Sequence, residues 1–288
     1  TILNTKSRKK NLPTMTTVFA VVFLILTNET NNNMKKEIGL VLSGGGTKGI
    51  AEAGALKFLE EKNIFPEVIA GTSAGAIVGG LYSFGKSPDE ILEFFKSVYF
   101  FNWKHFTLTK PGFINSEVFR LYLKPIIGEI KIKDLKLELL ITATDLVQGV
   151  THVFDGDTYL LDAIIASCSV PGLTSPFQKD GMLLSDGGIL NNFPSNLIRE
   201  KCEKLIGVYV SPLQDIEGKQ LNSIKAVSTR AYELLSHSVE NYKFRDCDWF
   251  ISPKELSNYG MFESNKARMN EIFKLGYDEA VKTFPENF

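Results

Sequence analysis

Twice in the first third of this chain a short apolar run breaks into glycines and a helix-forming stretch begins at once. Residues 68–70 lead into Gly71-Thr72-Ser73-Ala74-Gly75, and residues 74–81 read as a small-residue helix. A strand that passes into a helix through small residues must turn sharply, and a serine at the apex of such a turn is pushed into the open. That is how an α/β fold displays a nucleophile. An ordinary Gly/Ser turn also satisfies the pentapeptide taken alone. The strand before it and the helix after it supply the context that a bare turn lacks.

The other break is Gly44-Gly45-Gly46-Thr47-Lys48-Gly49, between an apolar run at residues 38–42 and a helical stretch at residues 50–61. Three consecutive glycines clear side chains from a place where a ligand oxygen can approach backbone N–H groups, and the positive end of the following helix points at the same spot. Such a loop stabilises an anion. Gly44, Gly46 and Gly49 also fit a dinucleotide fingerprint, but that fold needs an acid about 20 residues on, at the end of the second strand. Here that strand ends in Gly71-Thr72-Ser73, while Glu60, Glu61 and Glu67 precede it. Lys48 is followed by Gly49 and not by Ser or Thr, so the P-loop pattern fails as well.

A third element is Leu183-Leu184-Ser185-Asp186-Gly187-Gly188, an apolar strand ending in a carboxylate. Asp-Gly is also a common hairpin signal, and residues 182–185 would serve as one arm of such a hairpin. Its weight comes from company. An exposed serine, an oxyanion-type loop and a strand-end carboxylate are the three roles that acyl transfer requires.

On these residues the chain resembles the patatin-like phospholipase family. The carriers, in order, are the glycine loop Gly44 to Gly49, the elbow Gly71 to Gly75 and the Asp186-Gly187-Gly188 triplet. Weaker support comes from residues 166–172 and from Asn191-Asn192-Phe193-Pro194. The resemblance implies a three-layer α/β/α sandwich with a mostly parallel central sheet, and a Ser/Asp dyad that hydrolyses lipid acyl esters without calcium or another cofactor. Carried over, Ser73 is the nucleophile, Asp186 its partner, and Gly44, Gly45 and Gly46 form the oxyanion hole. Thr47, Lys48, Gly49, Gly71, Gly75, Gly187 and Gly188 support the motifs. The family usually places Arg in its glycine loop where this chain has Lys48, which loses a fork-shaped contact.

The chemistry sets its own demands. A serine hydroxyl needs a base, and the ester carbonyl gains negative charge in the transition state. An aspartate with a pKa near 3.9 is a weak base, so the dyad requires an apolar setting, for which Leu183, Leu184, Ile189 and Leu190 are the candidates. Only three histidines exist. Ser73, Asp186 and His237 run in the order of an α/β-hydrolase triad, so counting leaves that alternative open. His237 falls in residues 223–243, which read as a helix, and an exposed helical histidine is the reading favoured there. His152 sits in an expected strand at residues 151–154 and His105 in an aromatic loop; neither is assigned a role.

The remaining pattern alternates strand and helix. Strands are expected at residues 138–144, 204–210 and 249–252, and helices at residues 160–167, 195–201 and 262–284. Ser87-Pro88-Asp89-Glu90 reads as a capping box with proline at N1, opening a helix at residues 91–98. This alternation favours a mostly parallel sheet covered on both faces. Tyr99, Phe100, Phe101, Trp103 and Phe106 form an aromatic stretch that fits either core or an interfacial entrance. With 32 basic and 33 acidic residues, nucleic acid is not indicated as a partner. Cys168, Cys202 and Cys247 are odd in number and widely spaced, which argues for free thiols and against a zinc site.

Residues 1–33 stand apart as an extension before a patatin-like acyl hydrolase domain at residues 34–288. Lys6, Arg8, Lys9 and Lys10 precede an apolar run at residues 18–26, too short to span a bilayer, which takes about 20 residues. Two readings stay open: an over-extended upstream segment on a cytoplasmic or peripheral membrane enzyme with a natural start at Met34, or an export or anchoring signal. Asn28-Glu29-Thr30 is a formal glycosylation sequon. The expected partner is a lipid or phospholipid acyl ester, with peripheral contact to a membrane; oligomeric state is not readable. An acyltransferase or a non-catalytic lipid-binding protein is the alternative on the same fold.

Overall fold

Parallel strands need crossover connections, and the alternation of apolar runs with helical stretches supplies them. In the computed structural model, residues 35–98, 115–213, 215–286 and 288 are described. The architecture belongs to one compact unit, Lys36–Phe288. The extension at residues 1–33, the aromatic stretch from Tyr99 to Phe106 and His105 lie outside the described residues.

The chain runs β1 (Lys36–Leu42), α1 (Ile50–Glu61), β2 (Val68–Thr72), α2 (Ala74–Phe84), α3 (Pro88–Ser97), α4 (Val118–Ile127), β3 (Glu138–Asp145), β4 (Val150–Phe154), α5 (Leu160–Ser167), β5 (Phe177–Lys179), β6 (Met182–Asp186), β7 (Cys202–Val208), α6 (Ile224–Glu240), β8 (Trp249–Ile251) and α7 (Lys266–Thr283). Strands β3-β2-β1-β7-β8 are parallel neighbours. Beyond them β6 and β4 pair antiparallel with β3, and β5 with β6, so the sheet is mixed and helices lie on both of its sides.

Strand alternation divides the core. Leu40, Leu42, Ile69, Leu139, Ile141, Ile206 and Val208 share one hydrophobic cluster with helices α1, α2, α3, α4, α5 and α7. Their neighbours Val41, Val68, Ala70, Leu140 and Leu205 belong to a second, smaller cluster with Phe193, Ile198 and Tyr209. Side chains at i and i+2 point the same way, so a single strand feeds both clusters.

Local chemistry accounts for the helix ends. Ser87 Oγ accepts from the Glu90 amide at 3.3 Å while the Glu90 carboxylate accepts from the Ser87 amide at 2.9 Å, so the expected capping box forms with Pro88 at N1. Asn265 Oδ1 accepts from the Ala267 and Arg268 amides, which starts the closing helix at Lys266 and not at residue 262. Residues 195–201 do not form the helix the sequence predicts. Two 3-10 turns, Ser195–Leu197 and Arg199–Lys201, stand there, split by Ile198 at φ −127°. The Arg199 guanidinium donates to the carbonyls of Cys202, Glu203 and Asp246, which anchors the second turn to the start of β7 and to the residues before β8. Among the described residues no helix is long and apolar enough to cross a membrane.

Candidate active site

Register alone brings the two key side chains to one end of the sheet. Thr72 is aligned with Thr142 on β3, and Asp186 with Ala143, so the residue after Thr72 stands one strand away from Asp186. The carboxyl ends of parallel strands are where open α/β sheets place their ligands.

Ser73 occupies the link between β2 and α2 with φ 52° and ψ −112°. Few L-residues adopt that conformation, and holding it costs on the order of 1–3 kcal/mol. The surrounding packing enforces it. A side chain on Gly71 would lie 2.5 Å from the Gly75 carbonyl oxygen, and one on Gly75 would overlap the Leu42 carbonyl, so both glycines are required for the turn to close against β1. The Ser73 amide donates to Ser167 Oγ at 2.7 Å, and the Cys168 thiol donates to the Ser73 carbonyl at 3.3 Å.

Ser73 Oγ donates to Asp186 Oδ2 at 2.7 Å, and the Gly188 amide donates to Asp186 Oδ1 at 2.7 Å. Both side chains are buried. Burial pushes the Asp186 carboxyl up to about 6, against the hydrogen bonds from Ser73 and Gly188 that pull it down. Of the four apolar neighbours named from the sequence, only Leu184 is fully buried and Leu190 is exposed. The burial comes instead from the strand pairing with β3 and from Cys168 and Ser169, whose carbonyl accepts the Asp186 amide at 2.8 Å.

The glycine loop lies against Ser73. A side chain at Gly44 would come within 3.2 Å of Ser73 Cβ. The Gly44 amide already donates to the Asn192 carbonyl at 3.1 Å, and its carbonyl accepts from Ser211 Oγ at 2.8 Å. The Gly44 amide, one of the three oxyanion donors expected from the sequence, is thus engaged within the protein. The Gly45 and Gly46 amides donate to no described residue, and both glycines line the cavity that holds Ser73. Thr47 and Gly49 are buried in the 3-10 turn Gly46–Gly49, and Gly187 and Gly188 in the turn after β6. Lys48 lines the cavity too; burial lowers its pKa, and the Glu233 carboxylate opposes that shift.

The cavity measures about 490 Å³, within the range of small-molecule sites. Ile77, Phe95, Val118, Phe119, Val170 and Leu173 give it an apolar wall; Lys48, Tyr209, Glu233 and Met261 line it as well. Such a wall offers apolar contact to a hydrocarbon chain. His237 does not line it. The histidine faces inward, with its Nδ1 buried and unpartnered and its ring 6.3 Å from that of Tyr209, which corrects the reading of an exposed helical histidine. The cause is the packing of α6 on Tyr209 and Phe244.

Two features of the site escape the sequence motifs. Glu240, at the end of α6, accepts the amides of Asn192 at 2.8 Å and Phe193 at 3.2 Å, and its carboxylate pairs with Lys243 Nζ at 2.8 Å. Lys243 Nζ also donates to Asn191 Oδ1 at 2.6 Å. This clamp holds the strand of backbone that takes up the Gly44 amide. In the sequence it is an i, i+3 charge pair like any on a solvated helix. Glu52, in the first turn of α1, is fully buried, and desolvation lifts its pKa well above the usual range, with the Ser43 backbone pulling the other way.

Fold and site together describe an α/β protein that sets a serine–aspartate pair and a glycine loop in one apolar cavity. The sequence pattern of the patatin-like phospholipases matches residues 40–197. The chain belongs to the patatin-like phospholipase family. It is 30% identical over 216 residues to the lysophospholipase NTE1 of Saccharomyces cerevisiae, covering 69% of this chain and 12% of that protein. It is 34% identical over 161 residues to an NTE family protein of Mycobacterium tuberculosis, covering 54% of this chain and 44% of that protein. The chain therefore spans only a part of these relatives' length. The crystal structure of VipD from Legionella pneumophila superposes with a TM-score of 0.57 at 15% identity, over 86% of this chain and 66% of that one, a likeness of fold.

Proposed function

We propose that this chain is a lipid acyl hydrolase of the phospholipase or carboxylesterase type, working through Ser73 and Asp186 and an acyl-enzyme intermediate. The observation that carries the reading is the 2.7 Å bond from Ser73 Oγ to a buried carboxylate on a strained strand-to-helix turn. Family membership and the lysophospholipase activity for which the yeast relative is named support the substrate class.

Ser73 Oγ attacks the ester carbonyl carbon while its proton passes to Asp186 Oδ2. The carbonyl oxygen becomes an oxyanion facing the Gly45 and Gly46 amides, where the loss of one such donor typically costs about a hundredfold or more. Collapse breaks the bond to the alcohol, which leaves with the proton from Asp186, and the acyl group stays on Ser73. Water then attacks, again giving a proton to Asp186, and the fatty acid departs as Ser73 recovers its hydrogen. Each role falls on a group of the chain itself, and the reading calls on no cofactor. A base with a pKa near 6 suits this chemistry, being ionised at neutral pH and still basic enough to accept the proton.

The test is a fluorophosphonate probe together with a panel of lipid esters. The native chain should label and hydrolyse; Ser73→Ala should do neither; Asp186→Asn should lose about two to four orders of magnitude in kcat/KM; His237→Ala should retain turnover. Turnover abolished by the histidine change and spared by the aspartate change would restore the triad. An alcohol that outcompetes water for the acyl group would make the chain a transferase.

A further inference from the structure

Residues 166–172 have no task in the chemistry above, yet they meet both members of the dyad. Helix α5 ends at Ser167, and Ser167, Cys168 and Ser169 are all buried. Ser167 Oγ accepts from the Ser73 amide at 2.7 Å, and the Cys168 thiol donates to the Ser73 carbonyl at 3.3 Å. The Ser169 carbonyl accepts from the Asp186 amide at 2.8 Å and from Ser185 Oγ at 2.6 Å. Three consecutive residues thus hold the main chain of Ser73 on one side and of Asp186 on the other. The segment is itself tied to its helix: the Cys168 amide donates to the Ile164 carbonyl at 2.9 Å, and Ser169 Oγ to the Ile165 carbonyl at 2.8 Å.

The sheet cannot supply this precision. Strands β2 and β6 flank β3, so their backbones lie about 10 Å apart. Register brings Ser73 and Asp186 to one end of the sheet, but the 2.7 Å contact depends on where the Ser73 side chain is aimed. That aim is set by a strained backbone, which persists only where its surroundings over-determine it. The Ser73 carbonyl is held within α2 as well, by the Ala76 and Ile77 amides at 3.0 and 3.2 Å. Its amide stands at the N-cap, outside the hydrogen-bond ladder of α2, and Ser167 Oγ takes it up. Deprived of that acceptor, the turn gains by relaxing toward an ordinary conformation in which the N–H finds another partner and Oγ swings off Asp186.

We propose that Ser167 is a positioning residue for the Ser73–Asp186 pair: its hydroxyl pins the Ser73 amide, and the Ser167–Ser169 segment sets the distance between the two side chains. The consequence for turnover rests on the acyl-hydrolase reading; the pinning itself does not. Ser167 does not line the cavity, so it acts on the rate without touching a substrate.

The experiment compares Ser167→Ala and Ser167→Thr with the native chain on a water-soluble short-chain ester. In Ser167→Ala, kcat should fall by about ten- to a hundredfold with KM unchanged; Ser167→Thr keeps the Oγ and should recover most of the rate. The hydrogen bond from Ser73 pulls the Asp186 pKa down, so loosening it should move the midpoint of the pH–rate profile upward from about 6. The Cys168 thiol, the titratable neighbour of Asp186 on this segment, is kept neutral by burial and adds no step of its own. A merely structural loss would lower the urea midpoint and leave both the kcat of the folded protein and the pH midpoint where they were. Hydrogen exchange at the Ser73 amide, readable with or without turnover, should quicken by about tenfold in Ser167→Ala and stay native in Ser167→Thr. Native exchange at Ser73 in the alanine variant would overturn the proposal, as would a native kcat or a threonine variant no better than alanine. Failure of the acyl-hydrolase reading would show separately, as soluble-ester turnover that survives Ser73→Ala.

Discussion

In the proposed acyl-hydrolase reading Asp186 is a base and a buried group at once, and the two demands pull stability and activity apart. Its folded pKa of about 6 lies above the ordinary aspartate value, so the folded state prefers the protonated form. That preference is fully present below about pH 4 and is lost as pH rises through about 6; above it the buried charge lowers stability by about 3 kcal/mol. Activity runs the other way, since only the carboxylate accepts a proton. The kcat/KM for a soluble ester should rise with pH to a plateau above about 6. Asp186→Asn should destroy that activity and raise the urea midpoint at neutral pH, with the gain fading below about pH 4. Glu52 titrates with the same sign, so the difference between native and Asn proteins isolates the share of Asp186. A flat rate profile between pH 5 and pH 8, or an Asn variant no more stable at neutral pH, would refute the assignment of the pKa to this site.

At the scale of elements, α6 links the site to its surroundings through the clamp at its C-terminal end. Glu240 is 1% exposed and Lys243 3%, and together they fix Asn191, Asn192 and Phe193, on which the Gly44 amide rests. Glu240→Gln keeps the shape but turns one acceptor into a donor and strands the Lys243 charge. Breaking a buried pair on one side costs roughly 3–5 kcal/mol, while removing both charges costs far less. Glu240→Gln should therefore lower the denaturation midpoint strongly and reduce kcat for a soluble ester, and Glu240→Gln/Lys243→Met should recover much of the stability. A native midpoint in the single variant would show that the pair holds nothing. The clamp is not legible in the sequence, because charge spacing on a helix does not say which side is buried. The glycine loop, the elbow and Asp186 are legible, because each needs small or acidic residues at a strand end and so leaves a mark in local sequence. Helix α4 leaves no such mark: Pro125 sits inside it, and its packing comes from α5 and the core.

For the whole molecule, the parallel centre follows from alternating apolar runs, but the antiparallel edge does not. Strand β5 has three residues, too few to show a period, and β6 reads equally as a hairpin arm or as the carrier of Asp186. Long-range closure is hidden for the same reason. Helix α7, near the end of the chain, packs along α1, the helix that leaves the glycine loop, and the two approach to backbone contact. A side chain on Gly276 would overlap the Ala51 carbonyl, and one on Gly54 the Phe273 carbonyl. Intrinsic helix propensity favours alanine over glycine by about 1 kcal/mol at each position. Overpacking opposes that with typically 1–3 kcal/mol, and here the obstacle is main chain, which cannot swing aside. Sterics should win, so Gly276→Ala is expected to lower the unfolding midpoint, as is Gly54→Ala, with the pair costing less than the sum because both relax the same interface. If either alanine instead raised the midpoint, the helices would have room to spare, and the C-terminal helix could not be the fixed support of the loop that faces Ser73.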